Sequence, residues 1–185
     1  MTVLALLAMV LSLRVAISDL YARRVPNAWL LCALLAGAAW LLLGVLPGIL
    51  PAGAAPVAPH VIGLFAGLVA LLPFHLLRWM GAGDVKFFAV LGALLGWQAL
   101  LPVWLGANAL AGLHALAVLA WRATSRCLPQ RALAWQAHAS VQWHARAGVQ
   151  RMHAARDGRE GIPYAAYLGI AAIAWAFGQY LEGAA

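Results

Sequence analysis

The sequence predicts an all-α, polytopic integral membrane protein with about six transmembrane helices and both termini external. Three observations carry this. Of the 185 residues 65% are hydrophobic and only 9% charged, with a mean hydropathy of +0.88, far from the roughly 25% charged residues of a soluble domain. Uncharged runs long enough for a span, which needs ~20 apolar residues, recur along the chain. The basic residues gather in alternate connections, which is how cytoplasmic loops are marked.

Taken in order, the first span starts with the apolar stretch before Arg14, one turn short of the span's cytoplasmic end, from where that long side chain can snorkel to the headgroups. The stretch lacks the basic n-region and small-residue cleavage site of a secretory signal, so it is read as a span. Residues 28–46 and 57–77 supply the second and third. The run 87–121 is 35 residues without a charge, and as one helix at ~1.5 Å per residue it would far exceed the ~30 Å hydrocarbon core. It must fold back once, with Gly96, Trp97, Gln98 and Pro102 as turn residues and a short first arm. Residues 162–181 form the last span.

Arginine and lysine then orient the spans. Arg23 and Arg24 follow the first, Arg78 and Lys86 the third, and seven arginines from Arg122 to Arg159 the fifth, while the connection 47–59 and the turn near Trp97 are uncharged. The pI of about 10.5 thus reflects positive-inside loops and a lipid bilayer as surroundings, with no nucleic-acid partner. Residues 1–185 read as a single membrane-embedded domain carrying a basic cytoplasmic loop at about 122–160. Within that loop Trp135 and Trp143 fall on roughly one side of a helix, which fits either a helix on the membrane surface or a solvated one. Trp79, Trp97 and Trp121 sit near interfaces as anchors. Cys32 and Cys127 are too few and too far apart for a disulfide framework or a paired-cysteine zinc site. His138, His144 and His153 are spaced by six and nine, which does not place them on one helix face, and His75 and His114 read as polar partners for neighbouring helices. No metal and no cofactor is expected.

Against this background five acids stand out. Asp157 and Glu160 lie among arginines in RDGREG, and Glu182 is near the end. Asp19 and Asp84 each sit where an apolar span meets a short cytoplasmic turn, so the topology drawn from the basic residues alone puts them at one membrane face. One reading leaves them as interfacial charges paired with Arg23 and Lys86. The local sequence favours another. Asp84 lies in GAGDVKF behind Gly81 and Gly83, which suit unusual dihedrals or a close approach by another chain. Asp19 is followed, past Arg23, by Val25, Pro26 and Asn27, where the proline keeps the chain extended and the asparagine can cap the next span. Two aspartates held close cannot both ionise easily, so one stays protonated while the other is a carboxylate. Such a pair can activate a water against a peptide carbonyl and hydrogen-bond the carbonyl oxygen.

Three stretches, SDLYARRVPN with Asp19, GAGDVKFFAVLGALLG with Asp84 in a GxGD pattern, and GIPYAAYLGIAA at the last span, make the chain resemble the type IV prepilin peptidases, in the short form associated with Flp/Tad-type pilus assembly. The resemblance covers essentially the whole chain. It implies a bacterial inner-membrane aspartic endopeptidase that removes the short cytoplasmic leader of prepilins after a glycine, with Asp19 and Asp84 as the catalytic pair. Gly81, Gly83, Lys86, Arg23, Pro26 and Asn27 then support the catalytic loop or the substrate, whose leader and apolar N-terminal helix are what the enzyme meets. The paired cysteines of the methylating members have no counterpart here, so neither methyl transfer nor a structural zinc is implied. A small transporter or channel with aspartates along a polar pathway, or an inactive pilus-assembly factor, are the competing readings; Asp-to-Asn substitutions separate them.

Overall fold

A computed structural model describes residues 2–46, 56–125, 140–143, 145–157 and 162–183. Trp135, His138, His144, Cys127 and Glu160 lie outside them. Among the described residues the chain is helical, without strands: α1 (Val3–Ala22), α2 (Asn27–Val45), α3 (Val57–Leu76), α4 (Ala82–Leu95), a 3₁₀ turn (Trp97–Ala99), α5 (Leu100–Ser125), α6 (Ala147–Arg156) and α7 (Tyr164–Glu182).

Four stretches of helix are long and apolar enough to cross a membrane: α1, α2, α3 and α5 with the turn before it. Only a small share of α2, α3 and α5 is buried within the protein, and rather more of α1. Leu31, Leu35, Val69, Leu113 and Leu116 all point outward, as helices facing lipid require. α4, with 14 residues, reaches only ~21 Å. α7 has 19 residues, interrupted by tyrosines and Gln179. Of the six spans expected, four meet the length and apolarity of a span among the described residues, while α4 is the short buried helix and α7 packs with one face against the bundle.

α4 is the centre. Val85 and Phe87 through Leu94 are all buried, Phe87 completely, and α4 touches α1, α2, α3, α5 and α7. Its tightest partner is α3. A Cβ on Gly63 would collide with the Gly92 carbonyl, and one on Gly67 would come within 3.0 Å of the Ala89 backbone. The two helices thus meet backbone to backbone through small residues, which is how helices associate where lipid is as apolar as leucine. The fold-back falls where the sequence places it. Gly96 closes α4 at a φ of 84°, its N–H bonded to the Gly92 carbonyl at 2.9 Å, and the positive φ explains why glycine stands there.

Three local expectations need correction. Arg14 is not one turn from the end of its span: α1 continues to Ala22, and the guanidinium lies over the Trp29 ring at 5.5 Å, a cation–π contact that holds the charge against α2. Asn27 does not cap α2. Pro26 occupies the N-cap position, with no side-chain cap hydrogen bond, and Asn27 is the first helical residue. The glycines before Asp84 are not in a loop of unusual dihedrals: Gly81 is the extended N-cap of α4 and Gly83 is helical.

A candidate active site where helix ends converge

Alternation of the helices brings the C-terminal end of α1 and the N-terminal ends of α4 and α7 together. Asp19 is in the last turn of α1, which ends because Arg23 turns into the left-handed region at φ 54° and donates its N–H back to the Asp19 carbonyl at 3.0 Å. The Ser18 hydroxyl donates to the Arg24 carbonyl at 2.8 Å, pinning the reversal. Asp84 is in the first turn of α4, its N–H bonded to the Gly81 carbonyl at 3.1 Å.

The two carboxylates line one cavity of about 330 Å³ together with Arg23, Val25, Gly81, Gly83, Ile162 and Tyr164. Asp19 is only 7% exposed. One of its oxygens, Oδ2, accepts the backbone N–H of Ala166, in the first turn of α7, at 3.0 Å. A backbone N–H can only donate, so this bond holds that oxygen as an acceptor. Asp84 lies outside the four long apolar helices. Burial in the cavity and the nearby charge of Asp19 push its carboxyl up to about 6, against a backbone hydrogen bond at Gly81 that acts in the opposite direction. Desolvation and a like charge both disfavour ionisation, so the Asp84 carboxyl keeps its proton to a higher pH than an exposed aspartate does.

Of the residues expected at the site, Asp19, Asp84, Arg23, Gly81 and Gly83 come together, and Lys86, Pro26 and Asn27 do not line this cavity. Lys86 and Asn27 instead sit at one end of an otherwise apolar groove between α2, α3 and α4. The role of Gly83 also differs from the expectation of a substrate backbone against it. A Cβ there would lie 2.9 Å from Val25 Cβ, so the glycine admits the chain's own α1–α2 link. The ion pair Arg24–Asp157, at 3.7 Å, and a hydrogen bond from Arg156 to the Leu20 carbonyl, at 2.8 Å, tie the end of α6 to the end of α1. His75 Nδ1 is 3.1 Å from the Met80 carbonyl in the turn after its own helix, not on a neighbouring helix as expected, whereas the His114 ring lies against Tyr167 of α7. No group of three or more potential metal ligands occurs among the described residues.

Sequence reasoning missed Tyr164, Ile162, Val25 and the Ala166 N–H as parts of the site. GIPYAAYLGIAA contains three of them, and its tyrosine beside a proline at the mouth of a span was the available signal.

These features define a class first: a helical membrane protein that brings two carboxylates, far apart in sequence, into one small cavity at the ends of its helices. The particular family follows from comparison. The model of the type IV leader peptidase family matches residues 5–116, a stretch that includes Asp19, Asp84 and the GxGD pattern, and the chain belongs to that family. Searches of curated proteins and of solved structures return no match.

Proposed function

We propose that the protein is an aspartic endopeptidase that removes the short leader of prepilin-like substrates of the Flp or type IV kind after a glycine, at the cytoplasmic face of a bacterial inner membrane. The observation that carries this is the shared cavity of Asp19 and Asp84. Membership of a leader peptidase family supports the substrate class. The clustering of Arg23, Arg24, Arg78 and Lys86 near the site's end of the helices supports the cytoplasmic orientation. Both termini are then external if α4 and α7 complete six passages.

In this reading Asp19, held as an acceptor by Ala166, is the base. It takes one proton from a water whose oxygen bonds to the scissile carbonyl carbon. Asp84, in its protonated form, hydrogen-bonds the carbonyl oxygen as the electron pair moves onto it. The carbon–nitrogen bond breaks as the nitrogen takes up the proton from the base, releasing an amine and a carboxylic acid. The water supplies every atom added.

The test is cleavage of a prepilin-like substrate by Asp19→Asn and Asp84→Asn in membranes. Each single variant should lose cleavage and the double should be no worse, because groups acting as a unit are not additive. Near-normal cleavage by either variant would return that aspartate to the role of an interfacial charge.

A further inference from the structure

Tyr164 opens α7 and lines the cavity beside Asp84. What its oxygen can do there is decided by Asn108, a polar side chain set inside the apolar α5.

The Asn108 amide nitrogen lies 2.7 Å from the Trp104 carbonyl and 3.3 Å from the Tyr164 oxygen. A carbonyl oxygen can only accept, so the short contact to Trp104 identifies the atom between them as the NH₂ group and excludes the flipped amide. That group has two hydrogens, one for each neighbour. Towards Tyr164 it acts as donor, so the phenol oxygen is the acceptor in this pair. The phenolic proton is not used by Asn108 and is left for a third group. Tyr164 is among the residues that line the cavity of Asp19 and Asp84.

We propose that Tyr164 donates its phenolic hydrogen bond to the oxyanion that forms on the scissile carbonyl, as a second donor beside Asp84, and that Asn108 positions it. This rests on the two-aspartate reading above. When the water oxygen bonds to the carbonyl carbon, the π pair moves onto the carbonyl oxygen, which then accepts from two donors. The Tyr164 proton is shared and not transferred, so the atom balance is that of hydrolysis. A donor placed where charge develops stabilises the transition state more than the ground state. Asn108 strengthens the donor, because an oxygen that accepts a hydrogen bond gives a more polarised O–H.

The discriminating variant is Tyr164→Phe, which keeps the ring and removes the donor. With a synthetic leader peptide spanning the cleavage site, in detergent or proteoliposomes, kcat should fall by roughly 10² with KM changed by less than about threefold, the scale seen when one oxyanion donor is removed. The pH profile should keep its shape. Asn108→Leu, which leaves the phenol in place without its anchor, should lose less, roughly 10-fold. Unchanged kcat in Tyr164→Phe, at equal protein level, overturns the proposal. So does a loss with a displaced pH profile, which would make Tyr164 a partner of Asp84 in its ground state. A loss confined to KM would make it a binding contact and also overturns it. Asp19→Asn and Asp84→Asn run in parallel separate the two levels: if they still cleave, the aspartic reading falls and this one with it; if they are inactive while Tyr164→Phe is not, only the role of Tyr164 falls.

Discussion

Gly83→Ala adds one methyl group in the first turn of α4, one residue before Asp84, and the structure states what it meets. The new Cβ would stand 2.9 Å from Val25 Cβ and 3.0 Å from Val25 Cγ2. Carbon atoms in contact prefer ~3.5–4.0 Å, so the two chains must separate by about 0.6–1.1 Å. Rotating Val25 relieves the contact with Cγ2 but not with Cβ, which is fixed to the backbone of the link between α1 and α2. The strain therefore falls on the elements that carry Asp19 and Asp84. Overpacking of this kind costs ~1–3 kcal/mol, and a displacement near 1 Å at a reacting group costs on the order of 10² in rate. Gly112→Ala is the control, since its Cβ meets nothing within 4 Å. Cleavage of a prepilin-like substrate, measured at matched protein levels in membranes, should fall by roughly 10- to 100-fold for Gly83→Ala and stay within about twofold for Gly112→Ala. Val25→Gly removes the opposing Cβ and should restore part of the loss in the double variant. Equal activity of the two alanine variants, or no recovery with Val25→Gly, would refute the argument from the Val25 contact.

If Asp84 acts in its protonated form, activity should fall as the pH rises through about 6, the value to which burial and Asp19 push that carboxyl; a profile that instead rises from pH 6 to 8 would assign the proton elsewhere. Gly63→Ala forces a methyl group onto the Gly92 backbone, and should lower resistance to thermal or denaturant unfolding by ~3 kcal/mol, whereas Gly178→Ala, with nothing within 4 Å, should not. Cysteines introduced at Gly53 and Gln150 should be labelled by an impermeant thiol reagent from opposite sides of the membrane, and labelling of both from outside would overturn the proposed orientation. Cleavage should be insensitive to chelators, because the proposed chemistry uses carboxylates alone; loss with a chelator and return with zinc would contradict it.

The meeting of Asp19 and Asp84 in one cavity was legible because acids are so scarce in this chain that two at the same face invite an explanation, and the basic residues supply that face independently. The fold-back near Gly96 was legible from length alone: 35 uncharged residues do not fit one crossing. What escaped has physical reasons. The Ala166 N–H that holds Asp19 belongs to a backbone, and every residue but proline has one, so no residue type announces it. Asn108 is a neutral residue whose meaning depends on Tyr164, 56 positions away. Gly83 carried the right message, that something approaches closely, without saying what. Asn27 looked like a cap because asparagine favours that position, but Pro26 already has the extended dihedrals the N-cap needs.

The matched family segment ends at residue 116, yet the cavity cannot be built from that segment alone. The reason lies one turn inside the bundle. A Cβ on Gly169 of α7 would come within 2.8 Å of the Ser12 carbonyl oxygen of α1, so these helices also touch backbone to backbone, and that contact sets their register. Ala166 is about one turn before Gly169, and Asp19 about two turns after Ser12, which moves them from the crossing toward the same end of the bundle. There the first N–H groups of α7, without partners inside their own helix, meet the carboxylate of Asp19, and Ala166 donates to it. The same placement sets Tyr164, two residues earlier, on the wall that Asp84 faces. A glycine with no chemistry of its own thus sets how closely α1 and α7 approach, and through that approach orients both the hydrogen bond on Asp19 and the tyrosine that lines the cavity with Asp84.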